Sequence, residues 1–89
     1  MRFHLKWEPD SEHDLHLAWV WSKDPAAVHV ANDAAMELLA IQPDKAGQHI
    51  SEGLWRLDLP PLRLQYEINF ADRIVTISNV SLLADHEHP

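Results

Sequence analysis

Cysteine is absent from this chain of 89 residues. Disulfides, thiolate zinc sites and cysteine nucleophiles are therefore excluded. Glycine occurs only twice, at Gly47 and Gly53, and each is isolated. No phosphate-cradling loop or dinucleotide fingerprint can be built from them. No apolar run approaches the roughly 20 residues that a membrane helix needs. The opening "MRFHLKW" mixes charges with aromatics and lacks the apolar core of a signal peptide. Positive charge is also scarce. Seven Lys and Arg face 14 Asp and Glu, for a net charge of −7. That disfavours non-specific binding to phosphate backbones, which depends on Lys and Arg. These features together fit a cytoplasmic protein with no membrane partner.

What is present fits one small globular domain, expected over 1–83, with a frayed tail at 84–89. Apolar residues make up 46% of the chain, enough for a core but a thin one. In 2–7, Phe3, Leu5 and Trp7 alternate with Arg2, His4 and Lys6, which is a strand pattern. "EPDSEHDL" then carries helix-start signals, with Asp10 or Ser11 as the cap and acids in the first turn. The helix should run to Trp21, with Leu15, Ala18 and Trp19 facing the interior. Asp24-Pro25 starts a second helix to about Ala40. Its expected inner stripe is Val28, Ala31, Ala35, Leu38 and Leu39.

The segment 41–53 has no period and reads as a loop. Strands follow at 54–59, 62–70 and 73–82, with Pro60-Pro61 closing the first of them. The expected fold is α+β, in the order β-α-α-β-β-β: an antiparallel sheet with a helical hairpin packed on one face. On 62–70, Leu62, Leu64, Tyr66, Ile68 and Phe70 should face the helices. Arg63, Gln65, Glu67 and Asn69 should lie on the open face.

The pieces "EPDSEHDL", "LLAIQPDKAG", "GLWRL" and "RLQYEINFADRIVTISNV", in that order, resemble the RelE/ParE superfamily of toxins from type II toxin–antitoxin systems. The last piece matches that family's Arg-x-x-Tyr-x-Val strand and its hairpin. The resemblance implies a cognate antitoxin as partner, wrapping the toxin as an extended, partly helical segment. In the ParE branch it also implies a DNA gyrase target. The mRNA-cleaving branch implies RNA and the ribosome as partners, with basic side chains on the open sheet face as catalytic groups. Arg63 and Arg56 match two of these positions. Asp58 stands where a third base is expected, and Leu82-Leu83 where a terminal basic pair is expected. His86 or His88 could substitute only if the tail folds back. Arg63 has a plainer alternative, a solvated strand charge paired with Asp58 or Glu67, and such a surface pair adds little stability.

Two further patterns stand apart from that chemistry. His13 and His16 are three apart on the first helix, but no clear third ligand accompanies them, so no metal and no cofactor is assigned. Leu17 and Trp21 fall off the expected inner stripe and form a candidate protein-binding strip. It would serve the antitoxin or a homodimer. Three readings follow: a toxin-like protein that acts by binding protein, an mRNA endoribonuclease, or a binding module without toxicity.

Overall fold

In the computed structural model, residues 2–83 are described; the tail with His86 and His88 lies outside them. A five-stranded sheet has the order β1-β5-β4-β3-β2. Its strands are β1 (His4–Trp7), β2 (Gln48–Ser51), β3 (Leu54–Leu59), β4 (Leu62–Asn69) and β5 (Ile74–Leu82). Helices α1 (Pro9–Trp21) and α2 (Pro25–Ile41) follow β1, and a short helix α3 (Pro43–Ala46) precedes β2.

The α+β class and the helical hairpin agree with the sequence. Two details differ. The sheet is mixed, because β1 runs parallel to β5, pairing His4 with Ile74 and Trp7 with Ile77. The two helices carry the chain across the sheet and back, so β5 reaches β1 running the same way. The segment expected to be a loop also holds α3 and β2. These are too short to show a period, and all four residues of β2 are exposed.

The core lies between the helices and the sheet. Val28, Ala31, Ala35 and Leu39 of α2 meet Leu57, Leu62, Leu64, Tyr66, Val75 and Ile77. Leu38, expected in this core, is only half-buried; its neighbour Leu39 is fully enclosed. Asp24 caps α2 as expected, its side chain accepting from the Ala27 amide at 3.3 Å. Helix α1 starts differently. Glu8 is its N-cap residue, and Pro9 occupies the first turn. Ser11 is buried instead of capping, and its hydroxyl reaches the Ile77 carbonyl of β5 at 2.8 Å.

The β4–β5 ladder contains a bulge. Gln65 pairs with Asn79 and Tyr66 with Ile77, leaving Ser78 as an extra residue on β5. The Ser78 hydroxyl donates to the Gln65 carbonyl at 3.3 Å. The insertion shifts the inward parity of β5, from Val75 and Ile77 before it to Val80 after it.

Tyr66 ties the sheet to α3. Its ring is fully buried and its hydroxyl donates to the Pro43 carbonyl at 2.7 Å. Burial, assisted by the nearby Asp44 charge, pushes the phenol up to about 12. An unfolded tyrosine ionises near 10. Stability from this group is therefore complete below about pH 10 and declines towards pH 12, because the unfolded chain ionises first. Tyr66 is the only tyrosine in the chain, so tyrosinate absorbance reports it alone. The expected midpoint in the folded protein is about 12. A midpoint near 10 with the fold intact would mean that the hydroxyl is solvated.

Candidate functional site

The open sheet face is set by cross-strand register. Asp58 of β3 stands opposite Arg63 of β4, which stands opposite Ser81 of β5. Two residues along, Gln48, Arg56 and Gln65 form a second row across three strands, while the Asn79 partner of Gln65 on β5 donates its side-chain amide to Asp14 of α1 at 3.2 Å. Arg63 is partly exposed and Tyr66 fully buried, so the alternation of β4 places them on opposite faces.

The two sequence-derived arginines converge on one acid. Arg63 donates from Nε to one Asp58 oxygen at 2.8 Å and from Nη2 to the other at 3.1 Å. The Nε of Arg56 lies 3.8 Å from the same carboxylate, and its Nη2 reaches Gln48 at 3.5 Å. The hydrogen bond from Arg63 holds the Asp58 carboxyl below its ordinary range. Partial burial opposes this, and the Arg63 and Arg56 charges reinforce it. Reciprocally, Asp58 raises Arg63 further above its ordinary value. A bidentate pair of this kind fixes the guanidinium plane as well as offsetting its charge.

Among the described residues, the rest of this face adds no Lys or Arg beside that trio. Glu67 is exposed two positions beyond Gln65, opposite Thr76, and Thr76 is opposite Lys6 of β1. Lys6, Glu67, Asn69 and Thr76 share a shallow groove that carries one charge of each sign. At the end of β5, Leu82 pairs with Leu62, and the Leu83 amide donates to the Pro61 carbonyl at 2.9 Å.

Leu17 and Trp21 sit on α1, on a different element from the arginines. They are 39% and 61% exposed. Trp19, expected inside, is 40% exposed. The inner face of α1 is instead Ser11, Leu15, Ala18 and, at its C-cap, Ser22; Leu15 is half-buried and the others fully so. These positions recur at i, i+4, i+7 and i+11, a proper helical stripe. It escapes a hydrophobicity reading because it is small and polar, which lets α1 lie close to β5.

With Trp19 turned outward, a groove forms that the sequence did not reveal. Glu12, Leu15, His16, Trp19 and His29 line it. His16 lies near-parallel to the Trp19 ring with centroids 6.4 Å apart, and His29 meets it edge-on at 5.8 Å. Among the described residues, no cluster of three or more His, Asp or Glu is placed to hold a metal ion. Among them too, no helix is long and apolar enough to cross a membrane.

No family model matches the chain, and no curated protein matches it. Solved structures do. A chain of the toxin–antitoxin complex RelBE2 from Mycobacterium tuberculosis aligns with a TM-score of 0.79 at 20% identity, covering 96% of this chain and 95% of that one. The chromosomal ParDE toxin–antitoxin system from P. aeruginosa gives 0.66 at 16% identity, covering 91% and 96%. The isolated E. coli RelE toxin gives 0.66 at 12% identity, covering 90% and 83%. At these identities the likeness establishes the fold, and the fold is that of the RelE and ParE toxins.

Proposed function

We propose that this chain is a toxin-type member of the RelE/ParE superfamily, from a type II toxin–antitoxin pair, and that it acts by binding protein rather than by cutting RNA. Its partners are then a cognate antitoxin and a protein target, of which a gyrase-like one is the example offered by the ParE branch. Both RelE-type and ParE-type structures are among the similar folds, so the choice rests on the side chains.

The observation that carries the choice is the clamp on Arg63. Cleavage of RNA by its own 2′-hydroxyl needs preorganised positive charge on the phosphorane and a group to protonate the leaving oxygen. Here the matching arginine spends two donors on Asp58, at 2.8 and 3.1 Å, and Arg56 leans on the same acid. A phosphate would have to displace that carboxylate and tolerate its charge. Leu82 and Leu83 supply no further cation. Each lost donor costs roughly 10²–10³ in rate in well-studied sites, and such groups act as a unit.

Purified protein added to translating ribosomes is therefore expected to leave a message uncut. Mapping 5′ ends with and without the protein checks this, with Arg63→Ala as control. New ends in the ribosomal A site that vanish in Arg63→Ala would replace this reading with the endoribonuclease one. Induction in growing cells separates the remaining readings. Growth arrest is expected of a protein-binding toxin, and unimpaired growth would identify a binding module without toxicity.

A further inference from the structure

Charge is segregated between the two layers of the fold. Helices α1 and α2 carry Asp10, Glu12, Asp14, Asp33 and Glu37 and contain no Lys or Arg. Lys23, in the turn between them, is the nearest cation along the chain. Arg56 and Arg63 lie on the sheet. Asp14 is half-buried and accepts from the Asn79 side-chain amide of β5 at 3.2 Å. The other four acids are exposed, so the outer surface of the helical layer is acidic, and it is also apolar: Val20, Trp21 and Val30 are 51%, 61% and 70% exposed.

The groove beside Trp19 is where these two properties meet. Glu12, Leu15, His16 and Trp19 follow one another at i, i+3, i+4 and i+7, so one face of α1 presents all four. Exposed Glu8 extends this face one turn towards the helix start. On α2, exposed Asp33 follows His29 by one turn. The floor, Leu15 and the indole of Trp19, is apolar, and the imidazoles of His16 and His29 flank that ring. Glu12 is the acid that lines the groove, and exposed Glu8 and Asp33 lie one turn beyond it on α1 and α2.

We infer that this groove docks a basic, amphipathic segment of a partner protein. One Arg or Lys of the segment lies against Trp19, and its charge faces Glu12. A groove lined by an aromatic ring and a carboxylate selects a cation on an aliphatic stem, because the stem covers the apolar floor and ring while the head meets the acid. Glu12 and the acids flanking the groove, on two helices without Lys or Arg, set the sign of the partner, since like charges across an interface are costly. The same repulsion disfavours nucleic acid, an anionic lipid surface and the helical face of a second copy of this chain. The inference rests on the protein-binding reading above and adds to it the charge of the partner. An antitoxin that occupies this groove would do so through a cationic segment.

The test is a random-peptide display library selected on the full chain, with Trp19→Ala and Glu12→Lys variants as counter-targets. Both residues are at the surface, and unchanged denaturation midpoints verify that the variants fold. Peptides enriched on the wild type are expected to be rich in Lys or Arg alternating with apolar residues. They should bind at least about tenfold more weakly to either variant, and more weakly as salt rises. In a two-dimensional amide spectrum they should move the Trp19 indole resonance most among the four tryptophans. Acidic or neutral peptides, basic peptides that bind both variants equally, or no peptide separating wild type from variants would each overturn the assignment. Trp19 shifts that follow protein concentration without peptide would assign the groove to self-association instead. The growth and ribosome assays read a different property, so neither failure mimics the other.

Discussion

Leu39→Ala is expected to lower the unfolding free energy by about 2–5 kcal/mol, the usual range for a leucine deleted from an enclosed site. Leu39 is fully buried, and the α2 residues that share its inward stripe are Val28, Ala31 and Ala35. It is the largest side chain that α2 buries completely. The small residues beside it bring the helix backbone close to the sheet, which leaves little room for neighbours to collapse into the vacated space. A domain of this size has a total stability of about 4–13 kcal/mol at typical values per residue, so the loss would be a large share of it. Urea denaturation midpoints measure it, with Leu38→Ala as reference because Leu38 is half-buried. Should Leu38→Ala cost as much as Leu39→Ala, helix α2 would be docked on a different face.

Gly47→Ala is expected to be comparably damaging, for lack of space rather than backbone strain. Gly47 has φ −109°, which any residue can adopt. A Cβ there would overlap the Tyr66 hydroxyl and stand 2.7 Å from the Arg56 carbonyl oxygen and 3.0 Å from Tyr66 Cζ. Neither neighbour yields easily: one is backbone of a paired strand, the other a ring with no exposed surface. Overpacking costs about 1–3 kcal/mol. Breaking the Tyr66–Pro43 hydrogen bond strands a buried hydroxyl, for a further cost of about 1–3 kcal/mol. Adding Tyr66→Phe removes the atom that collides, so the double variant should regain part of the stability that Gly47→Ala loses. Thermal unfolding of wild type, both single variants and the double variant tests this. A Gly47→Ala protein as stable as wild type would mean that α3 and β2 sit further from Tyr66.

The sequence was most informative where a period ran long enough to count. The alternation of 62–70 identified β4 and the opposite faces of Arg63 and Tyr66. It also overran the strand: β4 ends at Asn69, and Phe70, expected to face the helices, is in the turn and 56% exposed. Asp24-Pro25 fixed the start of α2 because cap chemistry is local. The direction of β1 was not legible, since alternation marks a strand without naming its neighbour. Strand β2 was missed because four exposed residues contain no pattern. Continuing the stripe of Leu15 and Ala18 suggests an interior Trp19, whereas α1 packs through Ser11 and Ala18, whose smallness is what permits the contact, and Trp19 turns outward. Among the candidate site residues, the Asp58–Arg63 pair was one of two pairings the spacing allowed, and the structure selects it. The Trp19 groove was hidden, because it needs His29 from a second helix.

The parallel pairing of β1 with β5 also governs when the molecule can assemble during synthesis. His4–Trp7 finds its ladder partner only at Ile74–Ile77. Ser11 of α1, whose hydroxyl also reaches the local Glu8 carbonyl at 2.6 Å, meets its partner on the sheet only at Ile77. The first elements made therefore wait for the last strand before they can dock. Long-range contacts of this kind slow folding, because loop-closure entropy is lost before the contacts form. They also make the chain all-or-none with respect to its own translation. A nascent chain halted before Ile77 lacks the support for both β1 and α1, and so cannot present the helical layer in its finished form.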